Sequence, residues 1–178
     1  MAVESWRGIL EGNAKLLGHA IHPMLIVFPL GLLATAVAFD IVFYITANTA
    51  FPVVSYWLIV AGIIGGFLAA IFGWYDWFTI PSNTRAKTIG LLHGSVNSVV
   101  MLLFIGSLYF RSGRTPEPNA TAAAFSFAGA ILALVGGWLG GELVERLGVA
   151  VHEGANVNAP SSLKTENAVR AAQPGKKR

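Results

Sequence analysis

Apolar and charged positions are segregated along this chain. No Asp, Glu, Lys or Arg occurs between positions 41 and 75, 88 and 110, or 118 and 141. A helix crossing a hydrocarbon core of about 30 Å needs about 20 mostly apolar residues. The pattern therefore predicts four spans, over about 23–47, 52–75, 87–110 and 121–141. The expected fold is all-α, an integral membrane bundle of four transmembrane helices in up-down order. Pro23 suits a first helical position, and Pro29 is expected to bend the first span. Ala36-Val37-Ala38 resembles a signal-peptidase site, but the apolar run continues to Ile45, too long for a signal-peptide core. Asp40 is the one carboxylate inside a span. At 1.5 Å per residue it sits about 26 Å up the helix, which predicts a solvated place near the far interface. Gly62, Gly66 and Ala70, with Gly73 beyond them, form a small-residue seam for close helix approach. Gly129, Ala133, Gly137 and Gly141 form a second.

The flanks differ. In residues 1–21, Trp6, Leu10, Asn13 and Leu17 recur at helical spacing with Ile9 and Leu16 beside them, while Arg7, Glu11 and Lys15 fall largely elsewhere. This predicts a short amphipathic interfacial helix before the transmembrane domain of residues 22–151. Residues 152–178 are polar and small and end in Lys176-Lys177-Arg178, the composition of a disordered basic tail.

Composition narrows the class further. Only 12% of the 178 residues are charged, about half the 25% usual for soluble domains, and the mean hydropathy is +0.63. There is no cysteine, which excludes disulfides, thiolate metal sites and iron–sulfur ligation within the chain. The net charge of +3 comes from basic residues flanking apolar runs, so nucleic-acid binding is not expected. Four spans place both termini on one side. Without the tail, that side carries Arg7, Lys15, Arg85, Lys87 and Arg146, against Arg111 and Arg114 opposite. The positive-inside rule then puts both termini in the cytoplasm.

With that topology, polar residues distant in sequence converge at the cytoplasmic end. His19 and His22 open the first span, Trp74, Asp76 and Trp77 close the second, and Arg85 and Lys87 lie in the next connection. His93 and Asn97 follow in the third span, and Glu142 and Glu145 leave the fourth. The far end reads as nearly bare. Ionisable residues at membrane depth are costly, so the cluster is the functional candidate. His93 and Asn97, one turn apart, share a face of their helix. They read either as a ligand-handling imidazole held by an amide or as an interhelical hydrogen bond. His22 and His93 together are candidates to ligate a b-type haem edge-on. His19 and His22 form a weaker metal pair if the first turn is helical. Asp76, Arg85 and Glu142 complete the polar cluster, and Trp74, Tyr75 and Trp77 read as an interfacial belt. No GxSxG, HExxH or Walker pattern is present, and no catalytic residue is assigned.

His22-Pro23-Met24-Leu25-Ile26-Val27-Phe28-Pro29 is similar to the HPxxxxFP opening of a family of bacterial predicted membrane proteins, domain of unknown function 2231. Gly73-Trp74-Tyr75-Asp76-Trp77, the His93 to Asn97 segment, Arg111 and Gly140-Gly141-Glu142-Leu143-Val144 resemble its later motifs. The resemblance covers about residues 18–151. It implies four spans in a bacterial cytoplasmic (inner) membrane and an association with redox modules. Members often carry a His where this chain has Leu147.

The leading reading is a non-enzymatic membrane protein, embedded in the lipid bilayer, whose polar cluster binds a small ligand or cofactor or docks a partner. A redox partner or self-association would supply such a contact. The alternatives are a haem b or quinone-linked electron carrier using His22 and His93, and a transporter or channel subunit. The topology is directly testable. A reporter fused after Arg178 should behave as cytoplasmic and one inserted between Arg114 and Asn119 as external; an external C-terminus contradicts the charge argument.

Overall fold

The computed structural model describes residues 12–111 and 117–164. A two-stranded hairpin (β1 Lys15–Leu16, β2 His19–Ala20) precedes the helices α1 (Ile21–Leu25), α2 (Val27–Thr46), α3 (Ala50–Thr79), α4 (Arg85–Phe110) and α5 (Ala120–Gly141). A π-helical turn, Glu142–Arg146, extends α5. Four continuous stretches are long and apolar enough to cross a membrane: 21–46, 50–79, 85–110 and 120–146. At most 33% of the most apolar window in any of them is buried within the chain. Large residues such as Ile45, Trp57, Ile71, Leu102, Leu134 and Trp138 point outward, and hydrocarbon is the solvent such a surface requires.

Local signals explain the boundaries. Pro29 offers no N–H to the carbonyl of Leu25, and the first span breaks there at Ile26 into α1 and α2. Thr84 caps α4, its hydroxyl accepting from the Lys87 amide at 3.1 Å. Asn119 caps α5 through the Ala122 amide at 2.8 Å and donates back to the Phe110 carbonyl at 2.9 Å, tying the two helix ends together. The bundle is two antiparallel hairpins, α2 with α3 and α4 with α5, closed into a ring by the α3–α4 and α2–α5 contacts. Leu33, Ala36, Val37, Ile59, Ile63, Val100 and Phe104 form its core.

The expected amphipathic helix over residues 1–21 is not found where the chain is described. Leu17 and Gly18 take left-handed φ values of 51° and 85°, the two-residue turn that folds β1 onto β2. Positions 1–11 lie outside the described residues, as do 165–178 of the expected tail; residues 152–164 run as turns and irregular chain.

The second glycine seam also needs correction. Gly129 packs on Phe104, but an added Cβ at Gly137 or Gly141 would meet nothing within 4 Å. A four-residue repeat drifts about 40° per step around a helix of 3.6 residues per turn. The inward stripe is therefore Gly129, Gly136 and Gly140, spaced seven and eleven from the first.

The far end of the bundle is not bare. Asp40 is fully buried and Arg111 is 2% exposed. Arg111 Nη1 donates to Asp40 Oδ1 at 2.9 Å, and Nη2 donates to Asp40 Oδ2. Ser55 and Ser126 accept from the same two nitrogens at 3.2 and 3.4 Å, and Ser107 accepts from Nε at 3.2 Å. A guanidinium has five N–H donors, and all five are placed. The acceptors come from α2, α3, α4 and α5, so one side chain fastens all four long helices. Asp40 has the predicted height but not the predicted solvation, because Arg111 replaces water as its partner. Removing one member of a buried pair strands the other charge. Asp40→Ala and Arg111→Ala should each cost about 3–5 kcal/mol in detergent unfolding. The apolar double change Asp40→Leu with Arg111→Met should recover most of that loss; additive losses would show that the two are not coupled.

Candidate functional site

At the opposite end, α1 carries His22 in its first turn. Its Nδ1 lies 2.8 Å from the carbonyl oxygen of Ala69 on α3. A carbonyl only accepts, so the neutral ring holds its proton on Nδ1 and the lone pair on Nε2. A Cβ at Gly73 would stand 2.8 Å from His22 Cε1, so glycine is what lets the ring lie on the helix there. His93 repeats the arrangement from α4. Its Nδ1 donates to the Gly136 carbonyl of α5 at 3.0 Å, and a Cβ at Gly140 would stand 3.1 Å from its Cε1. In both cases the accepting carbonyl precedes the cleared glycine by one helical turn.

The two imidazoles face each other with ring centroids 6.2 Å apart and planes at 90°. Among the described residues, no hydrogen bond reaches Nε2 of either ring. Neither nitrogen is sealed, since among the described residues no fully buried side-chain nitrogen or oxygen is left without a partner. Asn97 Nδ2 donates to the His93 carbonyl at 2.9 Å. Its Oδ1 lies 2.6 Å from where a Gly136 Cβ would be. Asn97 thus packs beside the His93 anchor.

The remaining candidates separate. His19 is on β2 with Nδ1 3.3 Å from the Leu17 carbonyl, so it shares no helical face with His22, and the i, i+3 metal pairing loses its premise. Among the described residues, no group of three or more His, Asp or Glu side chains gathers to hold a metal. Asp76 is not grouped with Arg85 and Glu142. Its Oδ1 accepts the amides of Asn13 and Ala14 at 3.0 and 3.2 Å, anchoring the hairpin to α3. Arg85 pairs with Glu142 of the π-helical turn at 2.5 Å, with its own side chain 58% exposed, a surface pair of small worth. Lys87 donates to the Trp77 carbonyl at 2.7 Å and lies 3.8 Å from the centre of its indole. These contacts shape the end of the bundle.

Sequence reasoning missed the Arg111 constellation. Its signal was nonetheless present: Asp40 lies eighteen positions after His22, and Arg111 eighteen after His93. Eighteen residues are five turns of 3.6, so Arg111 lies on the His93 face of α4, about 27 Å along the helix; the break at Ile26 interrupts the same count between His22 and Asp40.

A family model described as predicted membrane protein (DUF2231) matches residues 18–153. No curated protein and no solved structure matches the chain.

The tautomers are open to measurement. In ¹⁵N-histidine NMR of ligand-free protein in detergent, two rings should carry their proton on Nδ1, where histidine in water prefers Nε2. Nε2 protonation of both rings would contradict the carbonyl contacts.

Proposed function

We propose that this chain, which belongs to the predicted membrane protein family DUF2231, is a non-enzymatic bacterial inner-membrane protein that binds a small ligand or cofactor between His22 and His93. The observation that carries the reading is the paired commitment of each Nδ1 to a backbone carbonyl while each Nε2 has no hydrogen-bond partner among the described residues. A histidine that only bridges helices gains by bonding through both nitrogens, because unsatisfied polar atoms at membrane depth are costly. Here half of each imidazole's capacity is reserved. Holding Nδ1 fixes the ring and its tautomer in advance, which is how ligating histidines are prepared for a ligand. Both termini lie in the cytoplasm in this reading, by the excess of basic residues on their side. The site then opens toward the cytoplasmic face, beside the Arg85–Glu142 pair and the N-terminal hairpin.

Native mass spectrometry of protein extracted from its own membranes tests this. Wild type should carry a non-lipid adduct at one copy per chain. His22→Ala and His93→Ala should lose it, while Arg85→Ala keeps it. An adduct-free wild type, or an adduct retained by both histidine variants, would overturn the reading.

A further inference from the structure

Three of the seams that meet at the histidine end are closed by side chains lying on glycines. Trp74 and Trp77 of α3 rest on α4 in this way: a Cβ at Gly94 would stand 3.0 Å from the Trp74 indole, and one at Gly90 would stand 2.8 Å from that of Trp77. Between α4 and α5, Asn97 and His93 take the space that Gly136 and Gly140 clear. Between α2 and α3, Phe28 and Pro29 lie against Gly65, and Leu33 lies against Gly62. Close packing of this kind has no slack, so each of these seams parts only by unpacking the bundle.

The side formed by α1 is built differently. The helix α2 buries Leu33, Ala36, Val37 and Asp40, whereas α1 buries no residue at all. Between the two, Ile26 interrupts the span, because Pro29 gives the Leu25 carbonyl no N–H. Polar bonds fasten α1 and the hairpin before it to α3. Asp76 Oδ1 accepts the amides of Asn13 and Ala14 at 3.0 and 3.2 Å, and His22 Nδ1 donates to the Ala69 carbonyl at 2.8 Å. The Ile21 amide donates to the Ala14 carbonyl at 2.9 Å, which joins the base of the hairpin to the start of α1 as one piece. Local opening is least costly where little apolar surface is buried and the retaining bonds are few and polar. This piece meets that description.

We infer that residues 12–25 are a lid over the histidine pair, hinged at Ile26 and caught by Asp76, which opens to admit what binds there. The inference rests on the ligand-site reading above for what enters, and on the packing alone for the movement. His22 rides on the lid while His93 stays with α4. Opening therefore separates two rings whose centroids lie 6.2 Å apart, and it uncovers the face of His93 that His22 covers. Closing returns His22 Nδ1 to the Ala69 carbonyl. Asp76 is a positioning residue, acting through the two amides that set where the lid begins. A carboxylate holds such amides more strongly than a neutral oxygen does. It stands three residues beyond Gly73, the glycine that makes room for His22. Catch and histidine thus occupy neighbouring turns of one helix surface.

The chain has no cysteine, so an introduced pair can lock the lid shut. A Cβ at Gly12 would stand 3.7 Å from Asp76 Cγ, a spacing that suits a disulfide between Gly12→Cys and Asp76→Cys. Opening is read by treating the full chain in detergent with diethyl pyrocarbonate and following each histidine by mass spectrometry. His93 is the reporter, because it is not on the lid, and the exposed His152 is the internal reference. Asp76→Ala should raise the His93 rate about tenfold, the effect of losing charge-assisted hydrogen bonds from the closed state only. Asp76→Asn keeps an acceptor oxygen and should stay close to wild type. The oxidised double-cysteine chain should protect His93 below the wild-type rate, and reduction should release it. Unfolding would raise the rate in oxidised and reduced chains alike, so protection by the disulfide separates a lid from lost structure. A His93 rate that does not respond to Asp76→Ala, or does not respond to the disulfide, overturns the lid whether or not the native adduct is found. Rates that follow the lid in a chain without an adduct leave the lid standing and overturn the ligand reading.

Discussion

The bundle is organised around one guanidinium. In hydrocarbon no water is present to satisfy a stray donor, so every polar group at depth must find its partner within the protein. Arg111 meets that requirement with Asp40, Ser55, Ser107 and Ser126, and those partners lie on all four long helices. The hydroxyls of Ser107 and Ser126 are in turn bonded to the Ala122 carbonyl at 2.8 and 3.0 Å. Apolar packing against lipid gives helices little reason to prefer one neighbour over another. A directional network does. Rotating or sliding any one helix breaks a bond that nothing else replaces.

The two ends of the bundle apply this constraint in opposite ways. At the arginine end all donors are spent inside the protein, and the network is closed. At the histidine end each ring spends one nitrogen on a neighbouring helix and keeps the other. Because His93 and Arg111 share one helix face, the closed network fixes the rotation of the helix that carries His93, aiming that imidazole from about 27 Å away.

Much of this was legible in the sequence. Charge-free runs mark the spans because lipid tolerates few charges, and His93 stood out by interrupting one. The convergence of His22 with His93 followed from the up-down order alone. Other features depended on what periodicity does not carry. Asp40 read alone is a carboxylate near an interface; its burial needs a partner 71 positions away. The hairpin was hidden because Leu17 adopts a left-handed conformation usually left to glycine or asparagine. Gly137 looked like part of a seam because a four-residue repeat imitates a helix face over two turns and then leaves it. Asp76 looked like a member of a polar cluster, yet its carboxylate is used on the hairpin's amides.

The separation of Asp40 from Arg111 along the chain also bears on biosynthesis. The ribosome delivers the carboxylate 71 residues before the guanidinium. The first helical hairpin therefore emerges with an acidic group that has no cation to meet. Only when the third span arrives does the charge find its counterpart, with the fourth supplying Ser126.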